Sequence, residues 1–147
     1  MDGTHLYEKY KGTLLIATSQ DENGKVLPIA FAVVPPGEKY DDWWWFLCLI
    51  RDHVTQRQGI CLTSDRHAGI IKAVKEHRNW QPPHAYHVYC LRHVRSNFNT
   101  KFRDIQLKKT VMKLGYMSSK ILIDMRFQEF IDTHPQIASW FERLPKD

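Results

Sequence analysis

Chemistry in this chain is easiest to locate at Thr63-Ser64-Asp65-Arg66, where the apolar run Ile60-Cys61-Leu62 ends. A short apolar strand that stops at an acidic residue and then turns helical presents a carboxylate at a sheet edge. Asp65 has two readings from its residues alone: a metal-binding carboxylate, or the N-cap of a helix beginning near His67. The proposed partner carboxylate is Asp2, with only Met1 before it, where a disordered terminal residue is the competing reading. Arg66 follows Asp65 directly and suits either a phosphate contact or a surface ion pair. Cys90-x-x-His93 offers two zinc-type ligands. A closed zinc site needs four, and no second Cys/His pair has matching spacing, so zinc is not expected.

A second chemical signal is charge. Between Arg92 and Lys113 lie seven basic residues, Arg92, Arg95, Lys101, Arg103, Lys108, Lys109 and Lys113, against the single acid Asp104. The whole chain carries only +5, so the rest is slightly acidic. A concentrated basic segment beside a near-neutral remainder fits contact with a polyanion, with a solvated helical face as the alternative. Backbone binding of this kind carries no sequence preference and weakens with salt.

The elements that must position these groups follow from pattern. Thr13–Ser19 reads as a strand, Asp21-Glu22-Asn23-Gly24 as a hairpin turn, and Val26–Val34 as the returning strand. Pro28 inside it points to an edge or a bulge. Asp41-Asp42 suits the start of a helix near Trp43, with Trp43, Phe46, Leu47, Ile50 and Val54 on its inward face. Ile60–Ser64 reads as a strand buried on both faces. A helix over His67–Glu76 turns Ile70, Ile71 and Val74 inward, and Gly69 near its start permits close backbone approach. Ala85–Tyr89 is a short strand, and Cys90–Asn97 begins another helix. From Ile105 the pattern is helical. Leu107, Val111 and Leu114 form one stripe, Ile121, Met125 and Phe130 belong to a second helix, and Pro135 opens a third helix with Ile137, Trp140 and Phe141.

At 147 residues the chain can bury one real core. No apolar run approaches the roughly 18 residues that span a bilayer, so no membrane partner is expected. Met1-Asp2-Gly3-Thr4 lacks signal-peptide features, and Cys48, Cys61 and Cys90 do not form a disulfide framework. A reducing compartment is the expectation. The element order fits an α/β layer followed by an all-helical segment.

Several local patterns, taken in order, resemble the transposase domain of Mutator-like elements, the MULE family. They are Asp2-Gly3-Thr4-His5-Leu6 with Tyr10-Lys11-Gly12-Thr13-Leu14-Leu15, then Asp21-Glu22-Asn23-Gly24 with Pro28–Val34. Trp43-Trp44-Trp45-Phe46-Leu47, Ser64–Ile70, and Cys90-Leu91-Arg92-His93 with Asn97-Phe98 follow. The resemblance implies a ribonuclease H-like mixed sheet flanked by helices, spanning residues 1–102 as a partial core, and the start of a helical insertion over 103–147. It implies an Asp-Asp-Glu site using two Mg²⁺ or Mn²⁺ ions, with Asp2 and Asp65 as first and second carboxylates about 4–8 Å apart. Cys90 and His93 are further candidates near that site. The third acid is expected outside this chain; Glu129, Asp132 and Glu142 fall in the insertion. The implied partners are transposon-end and target DNA and further copies of the protein, in the nucleus. The implied function is DNA cleavage and strand transfer, inactive in this segment alone. Its alternative is a domesticated, non-catalytic DNA-binding or protein-interaction module.

Overall fold

The structure, a computed structural model, describes residues 1–7, 9 and 11–144. Tyr10 of the resemblance and the closing Pro145-Lys146-Asp147 lie outside the described residues. The chain forms two compact units, Met1–Cys90 and Leu91–Asp147.

The first unit is mixed α/β. Strands β1 (Asp2–Leu6), β2 (Gly12–Gln20) and β3 (Val26–Val34) form an antiparallel sheet in that order. In β2, Thr13, Leu15 and Ala17 are buried while Leu14 and Ile16 are half-exposed, the period-2 alternation of a sheet with one core face. Asp21 organises the hairpin: its carboxylate accepts the Asn23 and Lys25 N–H groups at 2.9 and 2.8 Å, and Gly24 takes the left-handed φ of 81°. Pro28 has both features read from the sequence. It sits on an edge strand, and pairing jumps from Ala17–Ala30 to Thr18–Pro28, leaving Ile29 as the extra residue of a bulge.

Helix α1 (Tyr40–Leu49) starts earlier than the sequence suggested, after Lys39. Asp42 serves its first turn by accepting the Lys39 N–H at 3.4 Å. Trp43, Phe46, Leu47 and Ile50 are buried as expected, but Val54 is 45% exposed. The cause is a π-helical turn over Ile50–Val54, which slips the register of the inward stripe.

Strand β4 (Ile60–Ser64) pairs in parallel with β5 (Ala85–Tyr89). The expectation that β4 is buried on both faces fails: Leu62 and Ser64 are buried, whereas Cys61 and Thr63 are exposed. Only one face of this pair is covered. Helix α2 (Ala68–Glu76) follows β4 and buries Ile70, Ala73 and Val74 against α1, with Ile71 half-buried. Gly69 is required there, since a Cβ would lie 2.5 Å from the Glu38 carbonyl. One buried cation was not legible in the sequence. The Arg51 guanidinium donates to the Arg57 and His84 carbonyls at 2.8 and 3.1 Å and lies 4.4 Å over the Trp80 ring. It fastens the segments leading into β4 and β5.

The second unit is all-helical among the described residues: α3 (Leu91–Phe102), α4 (Ile105–Gly115), α5 (Lys120–Thr133) and α6 (Pro135–Glu142). Asp104 caps α4, accepting the Gln106 and Leu107 N–H groups at 2.7 and 3.0 Å. Phe98, Val111, Leu114, Phe130 and Ile137 form the core, with Phe102, Trp140 and Phe141 packed on it. Ile121, Met125 and Phe130 all lie on α5, as the sequence suggested. Phe130 is buried, but Ile121 and Met125 are 74% and 57% exposed, because apolar residues surround this helix and periodicity does not choose a face. No helix among the described residues is long and apolar enough to cross a membrane.

Candidate functional site

The two candidate aspartates sit at strand ends of the first unit. Asp2 opens β1, is exposed, and stands opposite Ile16. Asp65 is the first residue after β4 and is half-buried. One of its oxygens accepts the His67 N–H at 3.1 Å. Asp65 is therefore not the N-cap of α2. That place belongs to His67, whose Nδ1 accepts the Gly69 N–H at 3.2 Å. Of the two readings of Asp65, the cap of this helix falls away.

The beginning of β1 and the end of β4 meet at one hydrogen bond, from the Met1 amine to the Thr63 carbonyl at 2.5 Å. Burial lowers the pKa of this amine, while Asp2, the Cys90 thiol and Asp65 each favour its charged form. Carboxylate oxygens are the hard donors that Mg²⁺ and Mn²⁺ take, and that is the chemistry Asp2 and Asp65 would offer a divalent metal. No group of three or more His, Cys, Asp or Glu with metal-holding geometry occurs among the described residues.

Cys90 follows β5 and donates its N–H to the Ser64 carbonyl at 2.7 Å, extending the β4–β5 pairing to the residue before Asp65. His93 lies in α3, in the second unit, and is half-buried. Arg66 is half-buried beside Asp65. Of the basic run, Arg92, Lys101, Arg103, Lys109 and Lys113 are exposed, and Arg95 and Lys108 are half-buried. Arg92, Arg95 and Asn99 recur at helical spacing along α3, and Arg103 follows its end with a positive φ of 51°, while Phe98 is turned into the core. Lys113 borders a cleft of about 350 Å³ in the helical unit, floored by Leu114, Met117 and Phe130.

Two pairings escaped sequence reasoning because their members are far apart in the chain. Ser64 Oγ lies 2.8 Å from His87 Nε2, stabilising the end of β4 from β5. Cys48 Sγ lies 3.3 Å from His77 Nε2. The Cys48 thiol pKa is raised by burial and then by Asp52, so this pair holds a neutral thiol and is no activated nucleophile. His77 is buried against Trp44, and its pKa is lowered by burial and by Arg51, partly opposed by Asp52. A histidine with a depressed folded pKa binds its proton more readily when unfolded, near the ordinary value of about 6.5. Its contribution to stability is full above that value and is lost as pH falls toward the folded pKa. We expect the denaturant midpoint to drop below about pH 6.5, and the difference between wild type and His77→Gln to shrink over that window. A difference that is constant with pH would remove His77 from the acid response.

Among families of known proteins, the model of the MULE transposase domain matches residues 1–97. No curated protein matches the chain.

Proposed function

The chain belongs to the MULE transposase family, and from that premise we propose that its first unit is the ribonuclease H-like core of a DNA transposase. In this reading Asp2 and Asp65 hold Mg²⁺ or Mn²⁺ for DNA cleavage and strand transfer, acting in the nucleus on transposon-end and target DNA. The observation that carries it is the Met1–Thr63 hydrogen bond beside both aspartates. Continued as strand pairing, that bond joins the two sheets in the order β3-β2-β1-β4-β5. Both carboxylates then stand at adjacent strand ends in the middle of one sheet.

Phosphodiester cleavage needs an activated water or hydroxyl and a stabilised leaving oxygen, and bound divalent metal supplies both. The chain's own work is to place the donors. The aspartate side chains are short and anchored on strands. The His67 N–H fixes one oxygen of Asp65 and so sets the tilt of its carboxylate. The basic face of α3 would hold the DNA backbone without reading bases. The third acid of the site and the assembly of several copies belong to the same proposal.

The test is nicking of supercoiled DNA by the full-length transposase, which supplies the third acid. Nicking with Mg²⁺ or Mn²⁺ that stops on chelation supports the reading. Nicking that continues in excess chelator overturns it. A second reading, a domesticated DNA-binding module without catalysis, draws on the same α3 residues Arg92, Arg95 and Asn99 and on Arg103 just beyond the helix. It predicts salt-sensitive DNA binding with no metal-dependent nicking.

A further inference from the structure

Glu38, between β3 and α1, has surroundings tighter than its sequence context explains. Its side chain is only 8% exposed. Its carboxylate lies flat over the backbone of Gly3: a Cβ at Gly3 would fall 2.6 and 2.7 Å from Oε1 and Oε2. Its own carbonyl presses equally on Gly69, 2.5 Å from where a Cβ would be. Oε2 receives no hydrogen bond from any described residue and has His67 Nδ1 at 3.5 Å. Two segments therefore close on this residue, β1 through Gly3 and the start of α2 through Gly69 and its cap His67.

Those positions are next to the aspartates. Gly3 follows Asp2 in β1. His67 donates its N–H to Asp65, and Gly69 donates to His67. We propose that Glu38 is a positioning residue that sets the separation of Asp2 from Asp65, by wedging its buried carboxylate between Gly3 of β1 and His67 at the start of α2. The proposal rests on the metal-site reading above and names how that site is held. A buried carboxylate without a strong partner is costly, so a purely structural role would be served better by an apolar side chain. Shape and reach toward His67 are what Glu38 supplies.

The experiment measures Mn²⁺ affinity of the full chain by calorimetry, with the thermal midpoint recorded for each variant. Wild type binds Mn²⁺ and Asp65→Ala does not. Glu38→Ala binds about 10–100-fold more weakly, the usual cost of losing a residue that orients a ligand. Glu38→Gln, of the same shape and still able to reach His67, stays within about threefold of wild type. Gly3→Ala, which forces the carboxylate aside, weakens binding as Glu38→Ala does. If Glu38→Ala lowers the thermal midpoint but binds Mn²⁺ as wild type does well below that midpoint, Glu38 merely stabilises the fold and the proposal is overturned. If Asp65→Ala leaves Mn²⁺ binding unchanged, the metal site itself is wrong and the positioning role falls with it.

Discussion

Asp65→Ala is expected to lower divalent-metal-dependent nicking by the full-length transposase about 10²–10⁴-fold, since a lost ligand forfeits several kcal/mol of charge stabilisation and each ~1.4 kcal/mol is tenfold in rate. The alanine removes two things together, a charged donor and the acceptor of the His67 N–H that shapes the turn into α2. Asp65→Asn separates them. Its side-chain oxygen still accepts that N–H, so the turn persists, while the negative charge is gone. Asp65→Asn should therefore keep the wild-type thermal midpoint and lose nearly as much nicking as the alanine. Nicking that survives both variants would dismiss Asp65 as a metal ligand. Loss only in the alanine variant would assign it to the turn.

The second large effect is on stability. Trp43 is fully buried in the core of the first unit, packed edge-on to Phe46 with ring centroids 6.1 Å apart, and near the backbone of Gly69. Trp43→Ala leaves a cavity between α1 and the α2 start, with an expected cost of about 3–5 kcal/mol. That is a large part of the roughly 5–15 kcal/mol a domain commonly has. Trp45, two residues on and 48% exposed, should cost under about 1 kcal/mol when replaced by alanine. Guanidinium unfolding of the first unit, followed by tryptophan fluorescence and circular dichroism together, checks both. Equal losses at the two positions would contradict the packing described here.

The contrast between these two tryptophans also marks the limit of local pattern. Helical spacing put Trp43, Phe46, Leu47 and Ile50 on one face, and they are buried. The same spacing continued to Val54 and failed, because a π-helical turn broke the period. On α5 it named no inward face, and Phe130 is buried while Ile121 and Met125 are exposed, because a helix apolar on several sides offers no single stripe. Short-range chemistry was more reliable. Asn23-Gly24 made its turn, Pro28 its bulge, and Pro135 its helix start, since each depends on the backbone freedom of one or two residues.

By itself the sequence determined the α/β order of the first unit, the helical character of the second, the family, and Asp65 at the end of a strand. These follow from periodicity, turn chemistry and motifs, all short-range along the chain. Only the tertiary structure decided that one face of β4 is left open, that His67 rather than Asp65 caps α2, and that Met1 meets Thr63. It alone brought Glu38 over Gly3 and against His67. The Met1–Thr63 and Glu38 contacts join residues tens of positions apart, selected by how strands and helices pack, and no local pattern encodes them.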